Sequence, residues 1–134
     1  MSKLLTEFQI RQYHDEGYLA PIRVMSEEDA LALRKEIEAF EASQNKPIHG
    51  TQKTKAFLRF PWAYELVVRK KILDAVEDLI GSNILCYQHG VWFKEPETGS
   101  YVSWHQDATY YGMDPWELLS AWVALTPADD ESGC

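Results

Sequence analysis

The sequence predicts an α+β fold in which helices come first and extended segments follow. Three observations carry that expectation. Up to Gly81, apolar residues recur three and four apart between recognisable capping signals. From Ile84 onward the apolar residues run together or alternate, and β-branched and aromatic types dominate. The 134 residues, 46% hydrophobic and 25% charged, have the size and composition of one globular domain spanning 1–134. Its helical layer is expected over about 6–81 and its strands from about 84.

The elements follow in order. Thr6-Glu7-Phe8-Gln9 is a capping box, in which the Thr hydroxyl and the Gln amide each satisfy an otherwise orphaned backbone N–H. Gly17 closes that helix, with Pro21 shortly beyond. A second helix starts at Ser26, with Asp29 three residues on. It carries Ala30, Leu33, Ile37 and Phe40 on one face and Glu27, Arg34, Lys35, Glu38 and Glu41 on the other. Residues 43–55 are polar, hold Asn45, Pro47 and Gly50, and read as a loop. Leu66, Val67, Ile72, Ala75, Val76 and Leu79 predict one or two helices over 62–80, stopped at Gly81.

Residues 84–93 predict a first strand, and the loop Glu95-Pro96-Glu97-Thr98-Gly99 leads to a second at about 101–107. Asp114-Pro115-Trp116-Glu117 has the N-cap, Pro and Glu spacing of a short helical turn. Leu119, Ala121, Val123 and Leu125 alternate with Ser120, Trp122 and Ala124, the pattern of a third strand with two different faces. Asp129-Asp130-Glu131-Ser132-Gly133-Cys134 then reads as a turn. About three strands are too few to close a barrel, so an N-terminal fragment is expected.

Charge and composition narrow the function. Thirteen Lys and Arg against twenty-one Asp and Glu leave a net charge of −8, which lacks the footprint of a phosphate-backbone binder, so no nucleic-acid partner is expected. The apolar runs fall short of the roughly 18 residues a bilayer span needs, and the N-terminus has no signal-peptide core. No membrane partner and a cytoplasmic location are the expectation. Cys86 and Cys134 are too few and too far apart for a disulfide framework or a close-spaced metal motif, and are expected to be reduced thiols. Four of the five Trp fall after residue 90, which places the expected pocket in the last third.

Trp104-His105-Gln106-Asp107 is the most informative run. In an extended chain positions i and i+2 share a face, so His105 and Asp107 can offer an imidazole and a carboxylate to one metal ion. That mix suits non-haem Fe(II), which uses two His and one carboxylate and leaves positions open. The same spacing also occurs in solvated loops. His14 and His49 read as helix and loop histidines, and His89, on the first strand, as packed or lining a pocket.

The surrounding sequence resembles the phytanoyl-CoA dioxygenase family of Fe(II)- and 2-oxoglutarate-dependent oxygenases. The likeness runs from Phe8 through Gly17-Tyr18-Leu19, Ile72-Leu73-Asp74-Ala75-Val76, Leu79-Ile80-Gly81 and Phe93-Lys94. It continues through His105-Gln106-Asp107, Tyr110, Pro115 and Ala121-Trp122-Val123-Ala124-Leu125 to Ser132-Gly133-Cys134. The resemblance implies helices packed on the first part of a double-stranded β-helix, a jelly-roll or cupin-like barrel left incomplete in this chain. It implies that His105 and Asp107 are the first two iron ligands. Trp122, which by pattern alone reads equally as a core aromatic, would line the 2-oxoglutarate site. Lys53, or less closely Lys55, would supply a cosubstrate-contacting lysine, although a loop lysine is also commonly just solvated.

The family's distal His ligand and its 2-oxoglutarate-binding Arg lie downstream of the Ser-Gly-Cys turn, so this chain alone is expected to be inactive. The implied reaction consumes 2-oxoglutarate and O2, releases succinate and CO2, and hydroxylates a small-molecule C–H bond, with ascorbate as a supporting reductant. A carboxylate at 107, where halogenases of the superfamily carry a small residue, favours hydroxylation. The expected substrate is a small, polar or mildly anionic metabolite near Trp92, Tyr110 and Tyr111. The alternatives are a noncatalytic fragment with weak metal binding and a cupin-like isomerase or lyase.

Overall fold

The computed structural model describes residues 2–132. Gly133 and Cys134, the end of the terminal turn and the second of the two thiols expected to be reduced, lie outside the described residues. Among the described residues five α-helices follow one another: α1 Glu7–Glu16, α2 Glu27–Gln44, α3 Pro61–Val67, α4 Lys70–Ile80 and α5 Ala108–Tyr111. Two single 3-10 turns, Gly50–Gln52 and Ala56–Leu58, lie in the connection between α2 and α3.

The helix boundaries sit where the local chemistry puts them. The Thr6 hydroxyl accepts from the Gln9 N–H at 3.2 Å while Gln9 Oε1 accepts from the Thr6 N–H at 2.9 Å, completing the capping box of α1. Gly17, at φ +80, ends that helix in the left-handed conformation and donates its N–H to the Tyr13 carbonyl. Ser26 caps α2 through the Asp29 N–H at 3.0 Å. The expected single or double helix over 62–80 is a pair, α3 and α4, divided at Val68 and Arg69.

The core forms where α2, α3 and α4 meet the connection between α2 and α3. Leu33 and Ile37 of α2 pack with Ile48, Ala56, Trp62, Ala63, Leu66 and Ile72, and Val91, Val123 and Leu125 from the C-terminal segment lean against this cluster. Phe60 bridges Phe40, edge-on at 4.8 Å, and Trp62, stacked at 5.5 Å. Arg69 pairs with Asp29 at 3.0 Å and ties the start of α2 to the α3–α4 junction. At the N-terminus, the Asp78 carboxylate accepts the backbone N–H groups of Lys3, Leu4 and Leu5 at 2.7 to 2.8 Å, which seats Leu5 in a buried position.

The expected strands are not there. Among the described residues no strand forms over 84–93, 101–107 or 119–126, so the α+β class and the incomplete double-stranded β-helix are overturned by a structure that is helical wherever it is regular. A single antiparallel bridge, Thr54 opposite Gly90, is the whole of the β pairing among the described residues. The physical reason is that alternation and β-branching describe how one segment would fit a pleated surface, whereas a ladder requires a second backbone to take its N–H and C=O groups. Residues 84–93 find such a partner only at Lys53–Lys55, and residues 101–107 and 119–126 find none among the described residues. The helical turn predicted at Asp114–Glu117 is also absent; the turn that does form lies earlier, at Ala108–Tyr111.

Candidate metal and cosubstrate site

His105 and Asp107 come together without a strand to align them. Residues 101–106 carry no regular structure, and Asp107 is the N-cap of α5 with helical backbone angles. The turn of the chain into α5 folds the two side chains toward each other, leaving His105 Nε2 3.1 Å from Asp107 Oδ1, with both side chains about one-third exposed. Each is held from behind. His105 Nδ1 lies 2.7 Å from the Ser103 carbonyl, and the Ser120 hydroxyl donates to Asp107 Oδ2. Tyr110, one turn into α5, stands edge-on to the His105 ring at 6.0 Å.

This arrangement fits a metal edge. A carbonyl only accepts, so Nδ1 carries the proton it gives to Ser103 O, and Nε2 turns its other bonding position toward a carboxylate oxygen. Two acceptor lone pairs facing each other require a cation, either a proton on the ring or a metal ion bound to both. First-row ions at about 2.0 to 2.2 Å from N and O ligands set adjacent octahedral donors about 3 Å apart, close to the separation seen here. The backbone carbonyl behind the imidazole and the hydroxyl behind the carboxylate are the supports that metal ligands require. The Ser103 carbonyl raises the His105 pKa; partial desolvation opposes this and the Asp107 charge adds to it. Among the described residues no group of three or more His, Cys, Asp or Glu side chains gathers to hold a metal; His105 and Asp107 meet as a pair.

Lys53 lies in the loop after the first 3-10 turn, its ammonium 5.2 Å from the Phe93 ring centre. Its carbonyl accepts from the Val91 N–H at 3.1 Å, and the Lys55 N–H donates to the His89 carbonyl at 2.8 Å, so residues 53–55 are clamped to residues 89–91. Lys55 reaches over Tyr87, Tyr87 packs on Tyr111 at 5.2 Å, and Tyr111 shares α5 with Tyr110. A train of aromatic contacts thereby joins the basic loop to the His105 side. Trp122 is 70% exposed, so it is not a core aromatic within the described residues, and Trp92 is likewise open to solvent. His89 is half-buried between Phe57 and Trp62, where burial lowers its pKa and leaves Nδ1 without a hydrogen-bond partner.

Sequence reasoning passed over Ser120 and Ser103. The expected third strand set Ser120 on the same face as Trp122, and that shared face was the available signal. Ser103 acts through its carbonyl, which no side-chain pattern reveals. The described residues contain no helix long and apolar enough to cross a membrane.

Comparison with known proteins adds a family and two relatives. Residues 13–134 match the phytanoyl-CoA dioxygenase (PhyH) family. The chain is 27% identical over 147 aligned positions to a methylphosphonate hydroxylase of Gimesia maris, which covers all of this chain and 56% of that protein. It is 28% identical over 142 positions to a probable alpha-ketoglutarate-dependent hypophosphite dioxygenase of Stutzerimonas stutzeri, covering 93% of this chain and 49% of that one. The chain thus spans about half the length of the curated relatives it matches. No solved structure matches it.

Proposed function

Because the chain belongs to the phytanoyl-CoA dioxygenase family, we propose that it supplies the first half of the active site of an Fe(II)- and 2-oxoglutarate-dependent dioxygenase. The observation that carries the proposal is the His105–Asp107 edge, 3.1 Å across and supported on both sides by Ser103 and Ser120. Iron held there supplies the coupled oxidation in which 2-oxoglutarate and O2 give succinate, CO2 and a hydroxylated substrate.

The chain's own residues do the placing. Ser103 fixes the tautomer and plane of His105, so that Nε2 is the atom offered to the metal. Ser120 takes one oxygen of Asp107 and leaves the other free to bind. Tyr110 stands edge-on to the imidazole and flanks it on one side. We assign Lys53 to a carboxylate of the cosubstrate and Trp122 to the wall beside it; the Trp122 ring is 70% exposed and stands outside the core cluster, which supports that use. The names of both relatives support a small phosphorus oxyacid as substrate, consistent with the small, mildly anionic metabolite expected near Trp92, Tyr110 and Tyr111.

The test uses the full-length protein, Mn(II) as a paramagnetic stand-in for Fe(II), and methylphosphonate as substrate. His105→Ala and Asp107→Ala are expected each to release Mn(II) and to abolish substrate-stimulated succinate formation. Retention of both by either variant would overturn the assignment.

A further inference from the structure

A second feature lies where the 51–59 turn meets Gln88. Thr51, Thr54, Lys55, Leu58, Arg59 and Gln88 line an open hollow of about 480 Å³. Its chemistry is one-sided. The chain as a whole is acidic, yet no Asp or Glu occurs between Glu41 and Glu65, a stretch holding Lys46, Lys53, Lys55 and Arg59. Among the described residues neither Lys55 nor Arg59 forms an ion pair, although six of the chain's other cations do. The walls therefore present a guanidinium, an ammonium, two hydroxyls and a side-chain amide, all able to donate hydrogen bonds, and no carboxylate.

The hollow is also fixed in place. Lys55 holds a left-handed backbone, φ +53, at a residue that is neither Gly nor Asn. Such a conformation persists only where the surroundings determine it, and they do so here. The Lys55 N–H is bonded to the His89 carbonyl, the Leu58 N–H returns to the Lys55 carbonyl, and the next residue, Ala56, is completely buried. Both walls, the 51–59 turn and Gln88, are thus held by the same clamp that joins residues 53–55 to 89–91.

We infer that this hollow is a binding site for a small tetrahedral oxyanion, of the phosphate and phosphonate class, with Arg59 and Lys55 as the charged donors and Thr51, Thr54 and Gln88 completing the set. Donors arriving from two walls suit an acceptor with oxygens in several directions, and paired Arg and Lys are strong partners for such an anion. The inference deepens the proposed function, on which it rests only for the role of the bound anion as substrate. The contacts from Lys55 through Tyr87 and Tyr111 to α5 connect the hollow to the metal edge.

Calorimetric titration of metal-free protein with inorganic phosphate at low ionic strength tests it, with methylphosphonate and 2-oxoglutarate as competitors. The expected result is saturable one-to-one binding that methylphosphonate displaces and added salt weakens. Arg59→Gln and Lys55→Gln are each expected to weaken it about tenfold, the loss of one charge-assisted hydrogen bond; Lys71→Gln leaves it unchanged. Absence of saturation, or unchanged binding in a folded Arg59→Gln protein, overturns the site. Displacement by 2-oxoglutarate as effective as that by methylphosphonate also overturns it, because the hollow would then hold the cosubstrate. Should Arg59→Gln lose its helical circular dichroism, Lys55→Gln decides the matter. Phosphate binding in a full-length protein that makes no succinate would sink the dioxygenase reading and leave this site standing, whereas methylphosphonate-driven succinate formation undiminished in Arg59→Gln would do the reverse.

Discussion

Replacing Ile48 by Ala removes the side chain on which the basic loop is seated. Ile48 is 1% exposed, the largest fully buried side chain among the described residues, and it enters the α2–α3 cluster just before the turn that carries Lys53 and Lys55. The substitution deletes the carbons beyond Cβ, each worth about 0.8 kcal/mol in transfer from water, or about 2.4 kcal/mol together. The neighbours are clamped, Ile37 and Leu66 by their helices and Ala56 by its 3-10 turn, so the cavity closes only in part and the loss is expected at about 3 kcal/mol. The backbone bond from the Ile48 N–H to Glu41 Oε1, 2.8 Å, is untouched and keeps the loop's entry fixed. In urea denaturation followed by circular dichroism, with a slope of about 2 kcal/mol per molar, the midpoint should fall by about 1.5 M. A loss below about 1 kcal/mol would show that the loop is not seated on this core, and would remove the support from the placement of Lys53 and Lys55.

Other outcomes follow from the same geometry. Burial pushes the Asp78 carboxyl up, but the N–H groups of Leu5, Leu4 and Lys3 outweigh it and hold the pKa below its usual value. The folded-state pKa is therefore lower than the unfolded one, so the stabilisation is complete above about pH 4 and is lost as pH falls through the folded value. Asp78→Asn should cost about 1 to 2 kcal/mol at pH 7 and flatten the acid limb of a stability-against-pH curve; an unchanged acid limb contradicts the three-bond clasp. Burial raises the Cys86 thiol, so peptide mapping should show iodoacetamide labelling Cys86 more slowly at pH 8 than an unfolded control; equal rates would refute its shielding. Trp122→Ala should alter stability by no more than about 0.5 kcal/mol because the ring is 70% exposed, while weakening 2-oxoglutarate binding to the metal-loaded full-length protein; a large unfolding penalty would make it a core residue after all.

The legible part of this protein is the part whose signals are local. Thr6 with Gln9, Ser26 with Asp29, and Gly17 satisfy backbone groups within four residues of themselves, so the starts of α1 and α2 and the end of α1 could be placed from sequence. The Leu33 and Ile37 stripe likewise identified its own buried face. Residues 84–126 misled because their alternation states a preference that only a second strand can satisfy, and the described residues provide one bridge. At the site, the two residues of the His-x-Asp run did meet, but through the turn into α5 rather than the period of a strand. The hollow around Arg59 stayed hidden because Gln88 joins it from 29 positions away in sequence, a contact made by the clamp between residues 53–55 and 89–91.

The most direct measurement is Mn(II) binding, read by electron paramagnetic resonance, in full-length protein and in a Ser120→Ala variant beside Asp107→Ala. If His105 and Asp107 form a supported metal edge, Asp107→Ala loses the bound-ion signal and Ser120→Ala weakens affinity by about 10- to 100-fold, the usual consequence of removing a group that orients a ligand. Wild-type affinity in both variants would contradict the account.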